Sequence, residues 1–348
     1  MKSAFVVRLI NGPFGDPGLY AHLRWQSRSL LFDLGRNDSL TPGELLKVSD
    51  AFVSHCHMDH FIGFDNLLRL FLAREKALRL FGPEGILSCV EGKLKGYTWN
   101  LVEGYPLSLE VSEVVSGRVR SARFRAERGF AREDLGREAP FNGTLVDEDS
   151  FAVRAAVLDH RIPCLAFALE EKTRLNVDKD FLGRLGIPPG RWLAELKQAI
   201  RSGRADDFEI TARWRENGLE NSRSFALQEI RRLVRATVGQ KVVYVVDTLF
   251  SEENQARIVA LARGADSFFC EAPFLDEDRD QAALRFHLTA RQAGHLARAA
   301  GARRLFVFHF SPRYSGMADR LYHEAATAFG GGDACAPRPV RSEERPSP

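Results

Sequence analysis

The densest group of chemically capable side chains lies between Ser54 and His60, where the sequence reads Ser-His-Cys-His-Met-Asp-His. This segment follows a short apolar run that is typical of a buried strand. Because alternate residues of a strand face the same way, His55 and His57 point to one side as the chain leaves the sheet. Asp59 and His60 follow in a turn that can fold back toward the same point. Imidazole and carboxylate groups bind divalent cations, so this loop could begin two metal sites.

The spacing His-x-His-x-Asp-His resembles the defining motif of the metallo-β-lactamase-fold hydrolases. The resemblance implies a four-layer αββα sandwich, and it carries little information about the substrate. The competing interpretation is that these side chains are scattered polar residues without a common ligand. We disfavour it because buried histidine and aspartate side chains without partners cost free energy, and here they are densely spaced.

Composition places the chain among globular proteins of one large domain or two small ones, because 348 residues with 45% hydrophobic content can bury a sizeable core. The net charge is +3 over 49 basic and 46 acidic residues, so any nucleic-acid surface must be local. The five scattered cysteines show no disulfide framework, which predicts a reducing cytoplasm. No apolar segment approaches the length of a membrane helix.

Polar groups also follow four further apolar runs, and the sites of α/β proteins gather where strands give way to loops. These runs and the groups after them are Phe151–Leu158 with Asp159 and His160, Lys241–Val246 with Asp247, Ser267–Cys270 with Glu271, and Leu305–Phe308 with His309. Another predicted strand, over residues 29–34, carries Asp33, which could orient a ligating histidine or make a turn.

We expect the polar groups at these strand ends to form a dinuclear metal site. The ligands of the first ion would be His55, His57 and His160. Those of the second would be Asp59, His60 and His309, and Asp247 would bridge the two ions. A water held between two cations is acidified toward neutral pH and becomes a nucleophile, a chemistry that suits phosphodiester hydrolysis.

Residues 175–205 differ in character from the rest of the chain. From Leu185 to Trp192 they read Leu-Gly-Ile-Pro-Pro-Gly-Arg-Trp, and a basic helix-like segment continues to Arg201. Adjacent prolines stop regular structure and stiffen a turn. Local features favour an ordinary surface loop, and the alternative is a protruding segment that presents cations to a phosphate backbone. Further along, apolar spacing predicts an amphipathic helix over Phe225–Val238.

Four stretches beyond the first motif resemble the ribonuclease Z family, the endonucleases that remove the 3′ trailer from precursor tRNA. They are Asp159-His160-Arg161-Ile162-Pro163-Cys164-Leu165, Gly186-Ile187-Pro188-Pro189-Gly190 followed by Leu196-Lys197, Glu271 followed by His287-Leu288-Thr289-Ala290, and His309-Phe310-Ser311-Pro312-Arg313-Tyr314. The stretches occur in the family's order and cover about residues 50–320. The N-terminal loops, at residues 11–15 and 35–38, depart from the family's pattern, which bears on substrate choice and not on the metal chemistry.

This resemblance implies roles for individual residues. His287 would protonate the leaving 3′ oxygen, and Glu271 would orient His287. Asp59, besides binding metal, would act as general base on the water between the two cations. Arg313 would contact a phosphate. Residues 175–205 would be an RNA-binding arm, whose substrate-binding residues are Gly186, Pro188, Pro189, Gly190 and Lys197.

Cofactors and partners follow from the same resemblance. It implies an enzyme with two divalent metal ions, zinc first and manganese as the alternative, that acts on precursor tRNA and on neither DNA nor a membrane. It also implies a homodimer, for which the scattered cysteines predict a cytoplasmic location. We expect one domain over residues 1–328, with the arm inserted at about 175–205, and a disordered tail over residues 329–348.

Two other functions stay open on the sequence. The same dinuclear site could hydrolyse small phosphodiesters or esters, in which case the arm would be dispensable for turnover. The other function is that of a catalytically silent RNA-binding module. The complete set of ligand types argues against such a module, since a silent relative would be expected to lose ligands.

Overall fold

The computed structural model describes residues 4–216, 218–330 and 333–334. In these residues the strands are, in chain order, β1 (Phe5–Leu9), β2 (Leu19–Leu23), β3 (Arg28–Phe32), β4 (Val48–Phe52), β5 (Ala77–Pro83), β6 (Ser108–Val115), β7 (Arg118–Arg125), β8 (Arg132–Pro140), β9 (Thr144–Asp147), β10 (Phe151–Asp159), β11 (Pro163–Glu171), β12 (Arg174–Val177), β13 (Glu209–Glu216), β14 (Leu219–Ala226), β15 (Val234–Thr237), β16 (Lys241–Val245), β17 (Ser267–Glu271), β18 (Arg304–Phe308) and β19 (Asp333–Ala334).

The α-helices of the same residues are α1 (Pro42–Leu45), α2 (Met58–Phe61), α3 (Phe64–Phe71), α4 (Ile86–Lys95), α5 (Lys179–Leu185), α6 (Trp192–Arg201), α7 (Leu227–Ile230), α8 (Glu252–Ala262), α9 (Arg279–Arg285), α10 (Ala290–Ala299) and α11 (Ala318–Phe329). Single turns of 3₁₀-helix lie at Ala126–Arg128, Arg231–Leu233, Asp276–Asp278 and Pro312–Tyr314. Among the described helices, none is both long and apolar enough to cross a membrane. The chain divides into two units, the first formed by Met1–Glu171 with Gln240–Pro348 and the second by Lys172–Gly239.

Two large sheets form the centre of the first unit. One sheet runs from β1 to β8 in chain order, with parallel pairing from β3 to β6 and antiparallel pairing on both sides of that segment. The other has the order β19-β18-β17-β16-β11-β10-β9 and is parallel from β16 to β19. Because parallel strands end at the same edge of a sheet, the residues that follow β16, β17 and β18 come together.

Aromatic side chains fill the space between the two sheets. The rings of Phe32 on β3 and Phe52 on β4 stack with their centroids 5.0 Å apart. From the opposite sheet, Phe167 and Tyr244 lie with ring centroids 5.7 and 6.3 Å from that of Phe32. All four side chains are buried, and each aromatic pair stabilises the core by about 0.5–1.5 kcal/mol beyond the burial of area. This layer fixes the strand ends of the two sheets relative to each other.

Helices cover the outer face of each sheet. On the first sheet, α3 buries Phe64, Leu67, Leu68 and Phe71, the i, i+3, i+4, i+7 spacing of an amphipathic helix. On the second, α8, α10 and α11 bury their apolar faces in a separate cluster. Helices α10 and α11 approach closely at Gly294, where a Cβ would lie 2.4 Å from the carbonyl oxygen of Ala325. The predicted four-layer αββα sandwich is confirmed.

The second unit has a core of its own. Trp192 and Leu196 of α6 pack with Ile210 of the β13–β14 hairpin and with residues of α7. Helix α5 ends at Gly186 with φ of +66°, a backbone conformation that glycine adopts without steric cost. The unit contains the expected arm at residues 175–205 but is longer, because the hairpin and the β12–β15 pair belong to it.

The prediction of a helix over Phe225–Val238 is wrong. Strand β14 runs to Ala226, α7 supplies one turn, and β15 pairs antiparallel with β12. Leu227, Ile230 and Leu233 are buried at a spacing of three, as in a helix, so the pattern holds only up to β15. The β12–β15 backbone pairing joins residues about sixty positions apart, which local apolar spacing does not reveal.

The C-terminal expectation also differs from the structure. Helix α11 includes Phe329, and Asp333–Ala334 form a strand that pairs in parallel with Arg304 and Leu305 of β18. Backbone hydrogen bonds to a sheet edge therefore order this short part of the expected disordered tail over 329–348. The rest of that expectation, for residues 331–332 and 335–348, lies outside the described residues.

Candidate metal centre

The predicted ligands of the first ion meet at one edge of the two sheets. His55, His57, His160 and Asp247 each offer an atom within 4.8 Å of the others. Asp247 lies between the imidazoles, with its Oδ2 3.5 Å from His55 Nε2 and 3.4 Å from His160 Nε2. His55, His160 and Asp247 are buried, whereas His57 is exposed at the start of α2. The structure thus brings this predicted set together.

The predicted ligands of the second ion lie directly beside the first set. Asp59 Oδ2 is 3.4 Å from the Nε2 atoms of both His60 and His309. Asp247 contacts this set as well, since its Oδ1 lies 3.0 Å from His309 Nδ1 and its Oδ2 lies 3.5 Å from His60 Nε2. Asp247 is therefore placed between the two groups, as expected of a bridging carboxylate.

Several polar atoms of this cluster are buried without a hydrogen-bond partner among the described residues. They are Nε2 of His55 and of His60, together with Oδ1 of Asp247 and Nδ1 of His309, which lie 3.0 Å apart but not in hydrogen-bond geometry. A buried polar atom without a partner costs about 1–3 kcal/mol. Four such atoms in one cluster therefore indicate that a further group completes the site. Imidazole nitrogens and a carboxylate oxygen that face one another suit a divalent cation, and the residues present fit a metal centre.

The pKa shifts of the histidines in this cluster are consistent with the binding of a cation. Burial, aided by the neighbouring His60, lowers the pKa of His55 to about 2, so its ring is neutral and its Nε2 lone pair is available to a metal. Burial also acts to lower the pKa of His60, but the carboxylates of Asp247 and Asp33 outweigh it and raise that pKa well above its usual range.

Asp33 orients one of the candidate ligands. Its Oδ2 accepts from His60 Nδ1 at 2.9 Å and from the hydroxyl of Tyr244 at 3.0 Å, and its Oδ1 accepts from the backbone N–H of Ser54 at 2.6 Å. His160 is fixed in the same manner, because its Nδ1 donates to the carbonyl of Phe286 at 2.9 Å. These bonds leave the Nε2 atoms of both rings directed at the cluster. Of the two roles open for Asp33, the structure supports the orienting one.

Backbone strain is concentrated at this edge of the sheets. Asp33, Asp247 and His309 adopt φ values of +60°, +42° and +61°, in the left-handed region that side chains with a Cβ rarely occupy. Each such residue costs about 1–3 kcal/mol and persists only where the surrounding structure enforces it. Here the strained residues are those that turn a side chain from a strand end into the cluster.

The predicted catalytic pair lies against the same cluster. The Nδ1–H of His287 donates to Glu271 Oε2 at 2.9 Å and is 3.9 Å from Asp247 Oδ1. Glu271 is itself fixed, since its Oε1 accepts from the backbone N–H groups of Thr248 and Leu288 at 3.0 and 3.2 Å. Burial acts to lower the pKa of His287, but the Glu271 carboxylate outweighs it and raises the pKa. His287 can therefore carry a proton with its Nε2 directed away from Glu271.

The remaining predicted site residues fall in two places. Arg313 lines a cavity beside His287 and His309, and its Nη1 is 3.5 Å from Asp278 Oδ2. The predicted arm residues belong to the second unit, where a groove of about 910 Å³ is lined by Gly186, Pro188, Pro189 and Lys197. Gly190 does not line that groove and precedes α6 closely.

Sequence reasoning missed three groups that support the centre: the hydroxyl of Ser54, the phenol of Tyr244 and the carbonyl of Phe286. Tyr244 carried a usable signal. Its strand is apolar and buried, and a phenol in such a strand requires a hydrogen-bond partner. The role of the Phe286 carbonyl could not be predicted, since every residue has a backbone carbonyl.

The fold and the cluster define a metal-dependent hydrolase of the metallo-β-lactamase fold. A solved structure of that fold, YhfI from Bacillus subtilis, matches with a TM-score of 0.55 and 16% identity over 95% of this chain and 96% of that one, which supports the fold alone. No family model matches the chain.

Relatives in sequence identify the family within this class of hydrolases. A ribonuclease Z of Deinococcus radiodurans is 34% identical over 289 residues, which make up 82% of this chain and 83% of the relative. A ribonuclease Z of Synechococcus sp. (strain CC9311) is 31% identical over 296 residues, 82% of this chain and 78% of the relative. The chain belongs to the ribonuclease Z family.

The orienting role of Asp33 can be tested by Asp33→Asn, which keeps the side chain's size but removes its charge from His60. We expect the affinity for zinc, measured by competition with a chromophoric chelator, to fall by about 10–100-fold. Asp319→Asn, at an exposed position of α11, is the matched control and should leave the affinity unchanged. Equal affinities of Asp33→Asn and the unaltered protein would show that Asp33 only shapes a turn.

Proposed function

We propose that this protein is an endoribonuclease that uses metal ions to hydrolyse a phosphodiester at the 3′ end of precursor tRNA. The observation that carries the proposal is the Glu271–His287 pair, 2.9 Å apart and set against the histidine–aspartate cluster. A cluster of ligands alone would suit many hydrolyses. A cluster with a proton donor beside it suits the expulsion of an alkoxide, which leaves slowly unless it is protonated. Membership of the ribonuclease Z family supports RNA as the substrate.

Two divalent cations would occupy the cluster. His55, His57 and His160 would hold one, Asp59, His60 and His309 the other, and Asp247 would contact both. When bound, such cations neutralise phosphate charge and acidify a water toward neutral pH. Zinc is the metal we propose, with manganese as the alternative, because imidazole-rich sites suit zinc while carboxylates and water also accept manganese.

The chain's own residues would handle the protons. The Asp59 carboxylate is 42% exposed yet stays 3.4 Å from the Nε2 atoms of His60 and His309, so it can accept the proton of an attacking water. On the other side, His287 has Nδ1 engaged by Glu271, which leaves Nε2 to protonate the leaving 3′ oxygen. Glu271, fully buried and held by two backbone N–H groups, fixes the direction of that donor.

The second unit would bind RNA. Lys179 and Lys197 line its groove together with the Gly186–Pro189 turn and Trp214. Among the described residues neither ammonium group has a hydrogen bond or an ion pair, so both are available to phosphates. We further propose that the protein acts as a homodimer in the cytoplasm. The free thiols of Cys56, Cys89, Cys164 and Cys270 are consistent with that compartment.

The direct test is cleavage of a 3′-extended precursor tRNA by the metal-loaded protein, with His57→Ala as the ligand variant. The proposal expects one cut at the 3′ end of the mature sequence, which the variant loses. Turnover of bis(p-nitrophenyl) phosphate without any cut in the tRNA would replace tRNA with a small phosphodiester as the substrate. Absence of both activities would leave only a silent RNA-binding module.

The role of His287 predicts unequal effects on two substrates. For precursor tRNA, His287→Ala should lower kcat by about 10²–10⁴-fold, because an alkoxide needs a proton to leave. For bis(p-nitrophenyl) phosphate the loss should be much smaller, since p-nitrophenolate leaves without one. His295→Ala, on the exposed face of α10, should affect neither rate. An equal fall in kcat on the two substrates would show that His287 is not the proton donor.

The RNA-binding role of the second unit predicts a change in salt dependence. Replacing both Lys179 and Lys197 with alanine should raise KM for precursor tRNA and flatten its log–log salt slope by about 1.5, since each phosphate contact contributes about 0.7–0.9. The matched control replaces Lys47 and Lys95 of the first unit and should keep the slope. An unchanged slope in the Lys179/Lys197 variant would exclude the groove from RNA binding.

A further inference from the structure

The cavity that Arg313 lines, of about 350 Å³, adjoins the metal centre. It is lined by residues of α9 and of the segments that follow β17 and β18. His287 and His309 form its wall toward the centre, and the buried rings of Phe274 and Phe310 give it apolar walls. Its size lies at the lower end of the range for small-molecule pockets, which is room for one nucleotide rather than a helix.

Two arginines line the same cavity, and they differ in how they are held. Arg313 is partly engaged, with its Nη1 3.5 Å from Asp278 Oδ2 and its guanidinium 5.7 Å from the ring centroid of Phe274. Arg285, at the end of α9, is exposed. Within the described part of the chain its side chain has no hydrogen bond, ion pair or ring contact. It thus offers a full set of guanidinium donors to an anion, two residues before His287.

The position of His287 determines which part of an RNA the cavity would face. A general acid must reach within hydrogen-bond distance of the atom that it protonates. The ribose that carries the leaving 3′ oxygen must therefore lie on the His287 side of the scissile phosphate, and the cavity is on that side because His287 lines it. A flat base suits the Phe274 and Phe310 walls, and the phosphate on the 5′ side of that ribose needs a cation.

We propose that this cavity binds the nucleotide whose 3′ oxygen leaves, and that Arg285 binds the phosphate on the 5′ side of that nucleotide. The proposal rests on the proposed function for the direction of the RNA. It makes Arg285 a substrate-binding residue, distinct from the metal ligands and from Arg313. Because Arg285 is exposed and unpartnered, its replacement should leave the fold intact.

Two small nucleotides test the proposal without any RNA cleavage. Adenosine 3′-monophosphate can place its phosphate where the scissile phosphate would lie, and adenosine 3′,5′-bisphosphate adds the phosphate that Arg285 would bind. Calorimetric titration of the metal-loaded protein at low salt should give the bisphosphate about a tenfold tighter Kd, as one charge-assisted contact implies. Arg285→Ala should reduce that advantage to less than about twofold, and Arg285→Lys should restore part of it.

Arg279→Ala is the matched control, because Arg279 is exposed at the other end of α9 and does not line the cavity. It should keep the full advantage of the bisphosphate. An advantage that survives in Arg285→Ala, or that is absent from the unaltered protein, overturns the proposal, as does failure to bind either nucleotide. A protein that shows the Arg285-dependent advantage yet cuts no precursor tRNA would keep the nucleotide site and lose the proposed function.

Discussion

The rest of the structure depends on one buried carboxylate, that of Asp247. Nitrogen atoms of His55, His60, His160 and His309 lie 3.0–3.5 Å from its two oxygens, and they come from both sheets of the sandwich. A carboxylate buried without positive partners would be several kcal/mol less favourable than one in water. The fold therefore requires positive charge at this point, and divalent cations bound through the imidazole lone pairs would supply it. The aromatic layer between the sheets keeps the two halves of the cluster in register.

Around Asp247, backbone strain and hydrogen bonds serve to orient side chains rather than to stabilise the fold. Three residues with positive φ turn their side chains inward, Asp33 and the Phe286 carbonyl fix imidazole rings, and Glu271 fixes His287. Each of these groups acts on an atom that faces the cluster. With Asp59 as the proposed proton acceptor and His287 as the proposed proton donor, this centre suits in-line displacement at a phosphodiester.

Much of the centre could be predicted from the sequence because its residues stand at the ends of apolar strands, where local pattern and topology coincide. His55, His57, His160, Asp247, Glu271 and His309 are of this kind. What depended on long-range pairing could not be predicted. The role of Asp33 required Tyr244 from the other sheet, and β15 required β12, so the spacing of Leu227, Ile230 and Leu233 suggested a longer helix than exists. Arg285 stood out only once the structure showed which arginines have partners.

The cluster would hold two cations with Asp247 between them. Anomalous diffraction from crystals of the zinc-loaded protein, collected on both sides of the zinc absorption edge, would locate them. Two peaks about 3.5–4 Å apart are expected. One should contact His55, His57 and His160, the other Asp59, His60 and His309, and both should lie within bonding distance of Asp247. A single peak, or peaks that do not touch Asp247, would contradict this arrangement.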